Sequence, residues 1–282
     1  MDIFVTGATG KVGSRLIPRL LQRGHRVKVL IRDAAKANLS MLQGADLVKG
    51  DLLQSEKLVE TLRGMDVVIH LAAQFRGVDE ETAMRSNIEA TVALANATLE
   101  AGVPRFVFAS TNLVYGSGGR MRPSQEDDEL HPASLYPQTK ATAEELLLQL
   151  HAQRGLGLRI VRLAFVYGDH DPHITDFLPF MSKWTPAQRF HMVHHADVSQ
   201  ALMLAASTPG INGRIYNVAD DAPISVAELF QLHGATDKLE TNFKQSDFNP
   251  FDMIVDTSRI RDELNYRPIF PSFYTARDAG AL

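Results

Sequence analysis

The stretch Ile3-Phe4-Val5-Thr6-Gly7-Ala8-Thr9-Gly10-Lys11-Val12-Gly13 constrains this chain more than any other. A short apolar run ends in a turn with three glycines at a spacing of three, and an amphipathic segment, 12–23, follows at once. This order predicts a strand, a tight turn and a helix whose N-terminus opens onto the turn. Glycine allows the sharp bend and a close approach to the backbone, and the first N–H groups of the helix favour an anion. The spacing is Thr-Gly-x-x-Gly-x-x-Gly, one residue wider at the front than the commoner dinucleotide fingerprint. In this context it predicts a pyrophosphate site at Gly7, Thr9, Gly10, Lys11, Val12 and Gly13.

The following chain alternates in the same way. Gly24 stands where a C-terminal helix cap belongs, and Pro18 predicts a kink or a local accommodation in the first helix. Further strands are expected at 26–31, 45–49, 66–70, 105–109 and 157–163, with helices ending near 63 and spanning 80–101 and 136–154. Alternation of this kind calls for an α/β fold, a Rossmann-like doubly wound parallel sheet with ligands at the carboxyl ends of its strands. From 168 the regularity breaks down. Residues 168–193 read as irregular, 196–207 as helix, 214–218 as strand, 225–233 as helix and 253–256 as a last strand. The expected organisation is a dinucleotide-binding domain, 1–167, and a smaller C-terminal substrate lobe, 168–282, interleaved with late Rossmann elements.

Composition narrows the function classes. A formal charge of −4 weighs against nucleic acid as the main partner. The chain has no cysteine, which excludes disulfides, thiolate catalysis and cysteine metal sites. No apolar run reaches the ~18–20 residues that span a bilayer, and a strand within two residues of the start leaves no room for a signal peptide. The expectation is a cytoplasmic protein with no membrane partner.

Tyr136-Pro137-Gln138-Thr139-Lys140 puts a phenol and an ammonium four apart, on one face of a helix start. A phenol ordinarily titrates near about 10, and an adjacent ammonium favours the phenolate, so the pair can exchange a proton nearer neutral pH. The lysine can also reach a ribose hydroxyl. Ser110 and Thr111 lie in Phe108-Ala109-Ser110-Thr111-Asn112-Leu113-Val114-Tyr115-Gly116, where a sheet of this kind presents its ligand.

Taken together, these motifs resemble the extended short-chain dehydrogenases/reductases, the epimerase/dehydratase branch. Thr-Gly-x-x-Gly-x-x-Gly, a Ser/Thr segment ending Val-Tyr-Gly, and Tyr-x-x-x-Lys occur in the family's order. The likeness extends through His70-Leu71-Ala72-Ala73, Asn87-Ile88-Glu89-Ala90-Thr91, Arg162-Leu163-Ala164-Phe165-Val166-Tyr167-Gly168, His194-His195-Ala196-Asp197-Val198, Tyr216-Asn217-Val218 and Leu264-Asn265-Tyr266-Arg267-Pro268. The resemblance implies Tyr136 as acid/base, Lys140 as its modulator, and Thr111 as the hydroxyl polarising the reacting C–O group, with Ser110 as its understudy. It implies cofactor contacts from Asp51 and Leu52 at the adenine, and from Leu71, Ala72, Ala73, Ser110, Tyr136, Lys140, Ala164 and Val166. Asn87 is implied as a support, and helices 80–101 and 136–154 as the seam of a homodimer.

Some positions depart from the family pattern. NAD-preferring members end the second strand with an acid, but here Ile31 is followed by Arg32, which suits a 2′-phosphate. NADP is therefore favoured over NAD. Asp33 remains within reach of the ribose, and Lys11 and Lys36 add positive charge. Nucleotide-sugar members carry Asn before Val-Tyr-Gly where this chain has Phe165. The short segment after 168 adds Phe177, Phe180, Trp184 and Phe190, the kind of lining found around apolar organic molecules or inside a small core. Phe75, Arg76, Asn112, Phe165, Phe177 and Trp184 are the expected substrate contacts.

Several residues are expected to do no chemistry. His170, Asp171 and His173 have metal-ligand chemistry, but the implied reaction needs no metal and none is expected. The run Glu126 to Glu129 reads as a solvated face.

The leading functional expectation is hydride transfer between a nicotinamide cofactor and a carbonyl or alcohol of a small, partly apolar substrate. A nucleotide-sugar epimerase or dehydratase with retained NAD is the alternative. A non-catalytic NAD(P)-sensing protein is a third reading, and the intact Thr111, Tyr136 and Lys140 argue against it.

Overall fold

Ile3, Phe4 and Val5 are wholly shielded from solvent, as expected of a central parallel strand covered on both faces. They belong to β1 (Asp2–Thr6) in a computed structural model that describes residues 1–32, 39–239 and 249–282. Asp33 and Lys36 lie outside the described residues. β1 pairs in parallel with β2 (Arg26–Ile31) on one side and β4 (Val67–His70) on the other. β3 (Asp46–Lys49) extends β2, and β5 (Phe106–Thr111) extends β4, again in parallel. With β6 (Leu158–Leu163) and β10 (Arg214–Val218) the sheet has seven strands in the order 10-6-5-4-1-2-3. The chain reverses direction across the sheet between β1 and β4, the switch point where such sheets bind ligands.

Helices α1 (Lys11–Gln22), α2 (Ser55–Leu62), α3 (Glu80–Met84), α4 (Ala90–Glu100) and α5 (Leu135–Arg154) accompany this sheet. α1 continues through Pro18 and ends as the sequence predicts. Gly24 takes a positive φ of 77°, its N–H reaches Leu21 and that of His25 reaches Leu20, the bond pair of a Schellman cap. The expected helix 80–101 is interrupted by a π-helical turn, Arg85–Glu89, between α3 and α4. β5 runs two residues further than expected, so Ser110 and Thr111 are its last residues rather than the start of a loop. Phe4, Val68, Phe106, Phe108, Leu94, Leu147 and Ile160 meet in the apolar core. No helix among the described residues is long and apolar enough to cross a membrane.

The chain divides into two compact units. The first comprises 1–111, 134–162 and 199–216; the second comprises 112–133, 163–198 and 217–282. The second unit holds β7 (Phe165–Tyr167) paired with β9 (Met192–His194), and β8 (Arg189–Phe190) paired with β11 (Ile224–Ser225). It also holds α6 (His173–Met181), α8 (Val226–Leu232), α9 (Ser258–Leu264) and α10 (Phe273–Asp278), while α7 (His195–Ser207) passes from the second unit into the first. The stretch expected to be irregular, 168–193, therefore contains a helix. Ile174, Phe177, Leu178 and Met181 recur at helical spacing and are all buried, and Pro179 lies inside the helix they form.

The expected strand at 253–256 reduces to a single bridge. Ser124 alone supplies both backbone partners, receiving the Asp256 N–H and donating to Ile254. The acidic run 126–129 is a solvated face only in part: Asp127 and Glu129 are exposed, but Glu126 and Asp128 are held by partners. The buried carboxylate of Glu126 accepts the Asn217 N–H at 2.9 Å and lies 3.6 Å from Arg259, while Asp128 pairs with Arg122 at 2.6 Å. Charge density in sequence does not reveal a partner such as Arg259, more than a hundred residues away.

Candidate functional site

The three glycines play three different geometric parts. Gly7 has φ +72°, and a Cβ there would lie 2.6 Å from the Ala72 nitrogen, so only glycine fits between β1 and the end of β4. A Cβ on Gly13 would fall 2.2 Å from the Gly7 carbonyl oxygen, so this glycine lets α1 pack onto the turn. Gly10 is exposed, and its N–H closes the turn onto Gly7 at 3.0 Å. The first turn of α1 carries no acidic side chain to offset its positive end.

This turn floors a cleft of about 520 Å³ within the first unit. Of the residues expected at the cofactor, Gly7, Thr9, Gly10, Arg32, Asp51, Leu52, Leu71, Ala72 and Ala73 line it. Lys11, Val12 and Gly13 follow directly as the first turn of α1 but do not line it. Arg32 is exposed at the end of β2, and Asp51 is turned back to accept the Leu53 N–H at 2.9 Å. The sequence reading missed Gln74 and the group Thr82, Arg85, Ser86 and Ala90, which also line the cleft. Their spacing of three, one and four along a helix was the available signal.

The hydroxyls of Ser110 and Thr111 are nearly buried at the carboxyl end of β5. Ser110 Oγ has no hydrogen-bond partner among the described residues, a state that a buried polar group rarely keeps without a ligand. In the same unit, Tyr136 and Lys140 occupy the first turns of α5. Lys140 is 2% exposed, and its Nζ sits 3.8 Å above the Phe108 ring. Burial drives its ammonium down to about 7, opposed by the charge of Glu144 one turn along. Glu144 is itself buried and held by Arg162 at 2.6 Å.

Tyr136 behaves differently from the sequence expectation. Burial pushes its hydroxyl up to about 12 and no favourable effect of the ammonium opposes it. The lysine that should favour the phenolate is itself poorly solvated and sits over an aromatic face. In this state the pair is a protonated phenol beside a lysine poised near neutrality.

Asn87, buried in the π turn, joins the cleft to this pair. Its Oδ1 accepts the Gln74 N–H at 2.7 Å, and its Nδ2 donates to the Gln74 carbonyl and to Thr139 Oγ1, each at 2.9 Å. Thr139 in turn donates to the Tyr136 carbonyl at 2.8 Å. A second chain runs underneath. Thr91 donates to the Asn87 carbonyl, so its oxygen accepts from His70 Nε2, and Thr6 then donates to His70 Nδ1 at 2.6 Å. This tautomer is assigned from the network. Burial, aided by the Lys140 charge, holds His70 down at about 3, so the ring is neutral.

Beside Tyr136, the Phe75 and tyrosine rings pack edge to face, their centres 4.7 Å apart and their planes at 87°. The Arg76 guanidinium lies 4.7 Å from the centre of the Phe75 ring. The other expected substrate and cofactor positions, Asn112, Ala164, Phe165, Val166, Phe177 and Trp184, belong to the second unit. There Phe165 stacks on His173 at 4.2 Å, and Phe177 is a core residue, 8% exposed, with edge contacts to Phe165 and Trp184. Asn112 is buried in a short helical turn, and Ala164 donates its N–H to Val218. His173 Nδ1 bonds to the Val166 carbonyl, and Asp171 pairs with His195 at 2.9 Å, so these neighbours serve the loop itself.

A family model described as the NAD dependent epimerase/dehydratase family matches residues 3–219. The 4-hydroxy-2-methyl-3-oxo-4-farnesyl-3,4-dihydroquinoline-1-oxide ketoreductase of Stigmatella aurantiaca is 34% identical over 249 residues, covering 82% of this chain and 72% of that protein. A dTDP-glucose 4,6-dehydratase of Streptomyces griseus is 29% identical, over 94% of this chain and 89% of its own length. The structure of a dTDP-glucose 4,6-dehydratase from Streptomyces venezuelae with NAD and TYD bound matches with a TM-score of 0.83 at 25% identity, covering 99% of this chain and 97% of that one. Because the family match begins in β1 and continues past β10, and the ketoreductase aligns over most of both chains, this chain belongs to the NAD dependent epimerase/dehydratase family and is a nicotinamide-dependent oxidoreductase of the extended short-chain type.

Proposed function

We propose that this enzyme reduces a carbonyl of a small, partly apolar substrate, or oxidises the matching alcohol, with NADP preferred over NAD. The observation that carries the reading is the Asn87 amide, which fixes Gln74 in the cleft wall and Thr139 beside Tyr136 in one frame. A cofactor held in that cleft is thereby kept in constant register with the proton donor.

The glycine turn fits a dinucleotide. The Cβ atoms it lacks would collide with backbone at Gly7 and Gly13, and exposed Gly10 leaves the floor open to a pyrophosphate. Arg32 and Asp51 stand for the adenosine end, Arg32 supplying a guanidinium suited to a 2′-phosphate where Ile31 offers no carboxylate. Lys11, Val12, Leu52, Leu71, Ala72 and Ala73 complete that half, and Ala164 and Val166 are read as further cofactor contacts. When bound, the nicotinamide supplies or accepts the hydride.

Tyr136 keeps its proton through the neutral range and is the acid in the reductive direction. Lys140, near neutrality, can restore that proton. Thr111 holds the substrate oxygen, and the unpartnered Ser110 hydroxyl is its second donor. On the substrate side the reading assigns Phe75, Arg76 and Asn112, with half-buried Phe165 and Trp184; Phe177 serves by bracing Phe165. The first unit is thus read as the cofactor domain and the second as the substrate lobe.

A homodimer through α4 and α5 is part of this reading, to be checked by light scattering on the eluting protein. A cytoplasmic location belongs to the same reading, checked by cell fractionation.

Thermal-shift titration with both cofactors, followed by a carbonyl panel, tests the function. NADP(H) is expected to stabilise more than NAD(H), and Tyr136→Phe to lower kcat by about 10²–10⁴-fold with cofactor binding retained. Purified protein carrying stoichiometric NAD and converting a nucleotide sugar would replace this reading with the epimerase/dehydratase one. That alternative draws its support from the likeness to dTDP-glucose 4,6-dehydratases along nearly the whole chain.

A further inference from the structure

Arg76 stands on a loop that is fastened to the proton donor's own helix. Two residues earlier, Gln74 is held through both its N–H and its carbonyl by Asn87, and Asn87 is bonded to Thr139, one turn from Tyr136. Phe75 then packs edge to face with the Tyr136 ring and lies under the Arg76 guanidinium. This is a stack of three side chains, cation on ring on ring, within the first unit. A guanidinium is a rigid, planar fork of N–H donors, which matches the geometry of a planar, two-oxygen partner. Arg76 itself is exposed, and slight desolvation by its neighbours lowers its affinity for its proton.

We propose that Arg76 recognises a carboxylate on the substrate, making the preferred substrate an oxo acid or hydroxy acid whose charged group lies a few bonds from its reacting carbon. This rests on the reading of Tyr136 as the proton donor. With one ring between cation and phenol, the charge and the reacting carbonyl belong to the same compact molecule. Phe75 gives the intervening carbons an apolar wall. The charge–carboxylate pair binds substrate and transition state alike, so its loss is felt in KM rather than in kcat.

The test compares 4-oxodecanoate with its methyl ester, using the better cofactor, in the wild type, Arg76→Gln and Arg76→Lys. The wild type is expected to favour the acid, and Arg76→Gln to cut the acid-to-ester ratio of kcat/KM by about 10- to 100-fold through KM. Arg76→Lys should recover part of it, since charge is restored without the planar fork. Equal use of acid and ester by the wild type, or a ratio unmoved by Arg76→Gln, overturns the proposal and leaves the reductase reading standing.

Should neither carbonyl turn over, that reading fails separately. The proposal is then decided by calorimetric binding of 4-oxodecanoate to the cofactor-loaded protein. Binding lost in Arg76→Gln sustains it, and absence of binding to the wild type overturns it. Arg76-dependent displacement of the acid by UDP-glucose would assign the cation to a nucleotide diphosphate, also overturning it.

Discussion

Asn87 in the first unit and Asn217 in the second are both fully buried amides that use both ends of the side chain, yet they fasten different things. Asn87 links a cleft-lining residue to the turn between Tyr136 and Lys140, so its bonds converge on the candidate chemistry. Asn217 accepts from the Tyr115 hydroxyl at 2.8 Å and donates to the carbonyls of Ser124 and Asp256, each at 3.1 Å, binding loops remote in sequence. Buried charge differs in parallel. In the first unit Glu144 is matched by Arg162, whereas in the second Asp220 is buried with neither carboxyl oxygen in a well-formed hydrogen bond among the described residues. The first unit is built to hold a geometry; the second, to hold itself together.

The largest expected effect comes from breaking the matched charge. Arg162→Met leaves the Glu144 carboxylate buried alone and should cost about 3–5 kcal/mol in urea denaturation. Adding Glu144→Leu removes the stranded charge and should restore most of that stability. The double variant also removes the charge that supports the Lys140 ammonium, so Lys140 should titrate below its value of about 7, read as an acid-ward shift in the pH–rate profile. A double variant as unstable as the single one would show that the pair holds the fold by its shape rather than by its balanced charge.

The two asparagines give the next contrast. Asn87→Ala and Asn217→Ala each strand several buried partners, and each should lose about 2–4 kcal/mol. Their activities should separate. At a temperature where both variants remain folded, Asn87→Ala should lower kcat by about tenfold or more, because the frame around Tyr136 loosens, while Asn217→Ala should stay within about twofold of the wild type. Equal losses of kcat would erase the distinction between the two hubs.

How much of this was legible in the sequence follows the same divide. Gly7, Gly10 and Gly13 announce themselves because their constraint is local, a turn and a close approach within a few residues. The succession of strands and helices and the Tyr136–Lys140 spacing were readable for the same reason. The direction in which Tyr136 titrates was not, since burial in the folded chain decides it. The π turn at Arg85–Glu89 has no sequence signature of its own, yet it contains both buried Asn87 and the cleft-lining Arg85 and Ser86. In the second unit, Pro179 disguised α6, and Glu126 looked solvated because its partners Asn217 and Arg259 are distant in the chain.

The smallest effect probes the unmatched carboxyl. Burial, then the charges of Asp221 and Asp197, push Asp220 up to about 8, with the Ala222 amide giving weak relief. An acid that binds its proton more tightly when folded contributes fully below its ordinary value of 3.8, and that contribution is lost as pH rises towards and through about 8. The wild type should therefore lose stability across this window. Asp220→Asn keeps the shape and removes the charge, so its unfolding free energy should exceed that of the wild type at pH 8 by more than at pH 5, a differential of about 1–2 kcal/mol. Scanning calorimetry at pH 5, 6.5 and 8 reads the difference directly. Parallel curves for the two proteins would mean that Asp220 is relieved in solution, and that the second unit balances its buried charge as well as the first.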